Sequence, residues 1–154
     1  MLQKVHPQAR QGRPDADCPV VQLSIDAGVG AMRHVEIGRS LTTLRDDGVL
    51  ILGSGNVVHN LGDAMGRLRS GELATPAWAA EFDEAVVQAL ERRDTTELAR
   101  LIESPEGRKA HPTPDHYLPL LYAAGAAGDE PVSFPITGFD LGSLSMRAVI
   151  FGVP

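Results

Sequence analysis

The chain has 154 residues, enough for one domain, and its 43% hydrophobic content can fill a core without disulfides or a structural metal. A formal charge of −6 and a sequence pI near 5.3 exclude the clustered Lys and Arg that phosphate binding needs, so no nucleic-acid partner is expected. A single cysteine, Cys18, excludes a disulfide framework or a Cys-rich zinc module, which suits a reducing cytoplasm.

Residues 1–17 are polar and aperiodic, and read as a disordered lead-in without the apolar core of a signal peptide. Residues 18–154 read as one folded unit, and no apolar run nears the roughly twenty residues of a membrane span. The β-branched run Cys18–Ile25 predicts a strand, with Cys18 as a small buried hydrophobe. From Gly30 to about Asp47, Met32, Val35, Leu41 and Leu44 recur at helical spacing, and Gly48 ends the pattern. The continuous apolar run Val49–Gly55 then predicts a strand buried on both faces. Strand, helix and strand in this order predict a βαβ unit, and hence an α/β fold with a partly parallel central sheet flanked by helices.

Thr75-Pro76 predicts a helix start, with Trp78, Phe82, Val86 and Leu90 on one face. Asp94-Thr-Thr-Glu97 has the form of a capping box opening a short helix to about Ile102, closed by Ser104-Pro105. Thr113-Pro114 repeats the start signal, predicting a helix from Pro114 to about Ala124 that stops at Gly125. Residues 130–136 and 142–152 predict two more strands, the second alternating Leu144, Met146, Ala148 and Ile150.

Two histidines stand out. His59, in "GSGNVVHN", follows the end of the most buried-looking strand, where open α/β sheets place ligands. His116 falls in the first turn of the helix predicted from Pro114, where the helix dipole favours a neutral imidazole able to bind a metal or accept a proton. His6 and His34 read as surface residues and His111 as a solvated loop residue. Asp46, Asp47, Glu81, Asp83 and Glu84 read as solvated helix faces. Gly53-Ser-Gly55 is a poor phosphate loop, because Val58 stands where G-x-G-x-x-G needs its third glycine.

The stretches "PVVQLSID", "GVLILGSGNVVHNL", "HPTPDHYLPLLYAAGAAG" and "GSLSMRAV" resemble, in order and approximate spacing, the class III extradiol ring-cleavage dioxygenases. The similarity is greatest to the DOPA 4,5-dioxygenase branch and runs from about Asp15 onward. It implies the C-terminal portion of that fold and a metal-dependent enzyme that opens catechol rings with O2. The implied metal is Fe(II) or Zn(II), with His59 as an acid/base residue or ligand and His116 as a ligand. Implied partners are a small catechol, O2 and a homo-oligomeric copy. The family's other metal-site histidines lie in G-H-G-S-P and S-A-H-W motifs that do not occur here, so the isolated chain is expected to be inactive or nearly so. An alternative reading is a non-catalytic remnant that assembles with a partner chain. A further one is a small-molecule module using the Gly53–Gly55 turn.

Overall fold

The computed structural model describes residues 3–4 and 19–152, so Cys18 and His6 lie outside the described residues, as does most of the lead-in. Within them seven helices and six short strands form a mixed α/β fold. Strands β1 (Gln3–Lys4) and β2 (Val21–Gln22) pair antiparallel. Helices α1 (Ala31–Ser40) and α2 (Thr42–Asp46) follow, then α3 (Leu61–Ser70), α4 (Ala77–Glu91), α5 (Thr95–Glu103) and α6 (Pro105–Ala110). A 3-10 turn at Pro114–His116 leads into α7 (Leu118–Ala127). Strands β3 (Val132–Ile136), β4 (Phe139–Asp140), β5 (Leu144–Ser145) and β6 (Ala148–Phe151) close the chain, pairing β3 with β6 and β4 with β5.

Of the expected helix starts, the Asp94 cap acts where the sequence places it, whereas Thr75 and Thr113 make no side-chain cap: Pro76 takes the capping position of α4, which begins at Ala77, and Thr113 precedes only a 3-10 turn. Asp94 accepts from the Glu97 amide and opens α5, and Ser104 accepts from the Gly107 amide. Ser104 therefore both follows α5 and starts α6, a helix the sequence reading passed over. Helix α7 departs from expectation at both ends. A helix running from Pro114 would place Pro119 in its interior, where its ring clashes with the carbonyl four residues back, so the α-helix begins only at Leu118.

Gly125 does not stop α7; it lies against α1. A Cβ there would sit 2.3 Å from the Val35 carbonyl oxygen, and one at Gly38 would sit 2.3 Å from that of Tyr122. The two glycines thus let the α1 and α7 backbones touch, which overrides the helix-breaking tendency of Gly125. Gly125→Ala is expected to force the helices apart and cost about 1–3 kcal/mol, read as a lowered urea midpoint. An unchanged midpoint would show that the helices separate freely.

The core lies where α1, α4, α5 and α7 meet, around Val35, Val86, Leu98, Tyr117 and Leu121. The α1 stripe is Ala31, His34, Val35 and Gly38, rotated from the expected face; Leu44 is left exposed.

The strands depart most from expectation. Every strand pairing among the described residues is antiparallel, where a partly parallel sheet was expected. Val49–Gly55 forms no strand, and Leu50 and Leu52 are 83% and 82% exposed. No described strand pairs with this run, so it joins no sheet that would cover the outer face of its apolar side chains. The expected C-terminal strand is split in two, β5 and β6, with Met146-Arg147 between them outside either strand.

Candidate active site

His59 sits on a segment fixed from several sides. Val57 and Val58 are buried, and the Ser145 amide donates to the Val58 carbonyl at 3.0 Å. His59 bridges antiparallel to Leu144, and its amide donates to the Ala110 carbonyl at 3.0 Å. The Asn60 side-chain amide donates to the Lys109 carbonyl at 2.8 Å, while its oxygen accepts from Asp63 and caps α3. Apart from the local Asn60 cap, these bonds join residues far apart in sequence, so the position of His59 is a tertiary property.

His116 ends the 3-10 turn rather than lying in an α-helix, so the expected first-turn dipole argument does not apply as stated. Its placement comes from Tyr117, fully buried with its hydroxyl donating to the Leu98 carbonyl at 3.0 Å. The Asn56 amide donates to the His116 carbonyl at 2.9 Å. A Cβ on Gly55 would lie 2.0 Å from that carbonyl oxygen, so only glycine lets the chain pass here. This gives Gly55 a packing use and leaves the phosphate-loop reading without support from it.

These constraints bring the two predicted residues together. The His59 and His116 rings stack face to face, with centroids 3.7 Å apart and planes 5° from parallel. Burial, and then the adjacent His116 ring, hold the His59 pKa below the ordinary histidine value, favouring neutral imidazole. Asp115 Oδ2 lies 2.9 Å from His116 Nδ1 but off the direction of a hydrogen bond.

A ring nitrogen ligates a metal from about 2 Å along a lone pair in its own plane. Two parallel stacked rings cannot both point such lone pairs at one ion. Among the described residues no group of three or more His, Cys, Asp or Glu side chains converges. The pair as arranged does not by itself fit a metal site.

Several other residues depart from the sequence reading. His34 is fully buried on α1, its Nδ1 hydrogen-bonded to the Gly30 carbonyl and its ring edge-on to Tyr122. His111 is buried too, donating from Nε2 to the Val57 carbonyl at 2.8 Å. Both were expected at the surface, and both are covered by helix packing that local sequence does not reveal. Asp83, expected on a solvated face, is also buried. It accepts from Ser145 Oγ at 2.6 Å and from Arg147 through both Nε and Nη2. Its spacing from Ala79, Val86, Val87 and Leu90 was the available signal, since it shares their buried stripe. Asp46, Asp47, Glu81 and Glu84 are exposed as expected.

Beside His116 runs an open groove of about 920 Å³, lined by Leu50, Leu52, His116, Leu120, Met146 and Arg147 among others; His59 reaches it only through the stacked His116 ring. It combines apolar walls with an imidazole at one side, a setting that suits a planar aromatic ring with polar substituents.

A fold of mixed helices and strands carrying a half-buried, stacked histidine pair, with His116 on the wall of an apolar groove, defines a candidate enzyme site. The catalytic LigB subunit family of aromatic ring-opening dioxygenases matches residues 3–151, and the chain belongs to that family. It is 44% identical over 143 residues to 4,5-DOPA dioxygenase extradiol of Escherichia coli K12, covering 90% of this chain and 52% of that protein. It is 42% identical over 119 residues to 4,5-DOPA dioxygenase extradiol of Portulaca grandiflora, covering 76% of this chain and 42% of that one. A crystal structure of an uncharacterized Escherichia coli K12 protein superimposes with a TM-score of 0.80 at 43% identity, covering 91% of this chain and 58% of that one. The chain thus spans about half the length of the relatives it matches. Among the described residues no helix is long and apolar enough to cross a membrane.

Proposed function

We propose that this chain forms part of the catalytic domain of a metal-dependent extradiol dioxygenase that opens catechol rings, DOPA-like ones among them, with O2. The observation that carries the reading is His59 stacked on His116, which lines an apolar groove, in a chain of the ring-opening family. In this reading the groove walls hold the aromatic ring. His59, kept neutral near pH 7 by burial, accepts a catechol hydroxyl proton, a role that needs a free imidazole lone pair. His116 is assigned to the metal site, with Fe(II) or Zn(II) as the ion. Because the pair does not fit one ion as arranged, metal chemistry requires ligands beyond the described side chains, and we assign no step to it.

The isolated chain with Fe(II) is therefore expected to show little or no oxygen uptake with DOPA. A chimera joining it to the part of the Escherichia coli relative that it does not match is expected to open the ring. In that chimera His59→Ala or His116→Ala should lower kcat/KM by about 100-fold or more. An active chimera indifferent to both changes would rule out the assignment of these residues. A cytoplasmic setting goes with this reading and rests on the single cysteine.

Exposed Leu50 and Leu52, with no described strand paired to their run, favour a second reading, an assembly role in which another copy or a partner chain covers these residues. Size-exclusion chromatography with light scattering tests it; a monomer at every concentration would speak against self-assembly.

A further inference from the structure

We infer that His111 is the positioning residue of the histidine pair: its Nε2–H, bound to the Val57 carbonyl, holds the His59 segment in the register that stacks His59 on His116. The segments 56–60 and 109–116 are joined by backbone bonds at both ends, Asn56 amide to His116 carbonyl and His59 amide to Ala110 carbonyl. The Asn60 side chain adds a bond to the Lys109 carbonyl. Between them, only the bond from His111 to Val57 reaches from a side chain of one segment into the turn that precedes His59.

The chemistry of that bond leaves no choice of tautomer. A carbonyl oxygen only accepts, so Nε2 carries the proton and Nδ1 has a bare lone pair, consistent with its lacking any partner while buried. Burial lowers the His111 pKa to about 4, so the ring stays a neutral donor throughout the physiological range. The ring is also fixed in direction, edge-on to Phe82 and to Tyr117 at centroid distances of 6.0 and 5.2 Å. Tyr117 directly follows His116, so the same ring that grips the His59 turn also packs against the residue that anchors His116.

The placement is a claim about this chain alone; its catalytic consequence rests on the function proposed above. His111→Gln keeps an N–H at nearly the reach of Nε2, whereas His111→Asn holds its N–H too close to the backbone to reach Val57. In the 154-residue protein, the ring-proton NMR signals of His59 and His116 should show the mutual upfield shift of stacked rings. That shift should persist in His111→Gln and be lost in His111→Asn, with circular dichroism reporting whether each remains folded. Equal shifts in the two variants would overturn the inference. So would loss of the shift in a folded His111→Gln protein. If neither substitution folds, the same comparison is made with His111→Phe, which keeps the ring volume and removes the donor; a retained shift there overturns the inference and a lost one supports it.

In the chimera described above, His111→Asn should lower kcat by about 100-fold, the scale of a misplaced catalytic group, with KM little changed and His111→Gln restoring most of the rate. An inactive chimera would count against the proposed function while the NMR comparison still decides the placement.

Discussion

Asp83→Ala is expected to destabilise the protein by about 3–5 kcal/mol, the scale observed when one member of a buried ion pair is removed. Asp83 is 4% exposed, and its two carboxylate oxygens take a bond from Ser145 Oγ and a two-pronged bond from Arg147. Truncation leaves the Arg147 guanidinium largely out of water, with only the face of Phe134, 5.1 Å away, to stabilise it. The large effect is the cost of that stranded charge. The intact pair contributes far less, because both groups gave up hydration to form it. The double variant Asp83→Leu with Arg147→Met should therefore recover most of the loss. Urea denaturation of the two single variants and the double variant measures this. A single-variant loss under about 1 kcal/mol would show that water reaches Arg147. The pair also ties α4 to the link between β5 and β6, so the single variants should loosen the groove wall formed by Met146 and Arg147.

Stability is expected to fall by roughly 3 kcal/mol between pH 6.5 and pH 4 through His111 alone. In the unfolded chain this histidine takes up a proton near its ordinary value of 6.5; in the folded protein burial delays uptake to about 4. Between those values the unfolded state binds more protons, so stability rises with pH across the window. The contribution is complete above about 6.5 and is lost as pH falls toward 4. His59, whose pKa is also lowered by burial, acts in the same direction. The lowered Asp115 pKa places its titration beneath this window. Urea midpoints measured from pH 7.5 to pH 4 should drop steeply in the parent protein and less in His111→Gln. Parallel curves would remove His111 as the source.

The readable parts of the sequence were those governed by neighbours along the chain. Asp94 and Glu97 announce a helix start because the cap and the amide it binds lie three residues apart. The same locality made Thr113-Pro114 look like a helix start, and Pro119 postpones that helix by local sterics that were equally present in the sequence. His59 and His116 could be singled out by their motifs, yet nothing near either one states that their rings meet 3.7 Å apart. That contact depends on Tyr117 entering the core and on Gly55 passing over the His116 carbonyl.

Burial of polar groups was the least legible property. His34, His111 and Asp83 each read as solvated, because a polar side chain carries no mark of what will cover it. Asp83 gave a partial signal through its place on the α4 stripe, but its partner, Arg147, is 64 residues away. The run Val49–Gly55 erred in the opposite sense. Its composition suits a strand covered on both faces, and Leu50 and Leu52 are nonetheless exposed, since covering them needs neighbouring strands that the run itself cannot supply.

By itself, then, the sequence determined the family and the Asp94 cap, and it singled out two histidines as candidates, all from residue order over short spans. Only the tertiary structure decided which side chains lose water, how α1 and α7 close over their glycines, and that His59 and His116 stack. Those outcomes arise from hydrogen bonds and packing between residues tens of positions apart, whose geometry is set when the chain has folded and not before.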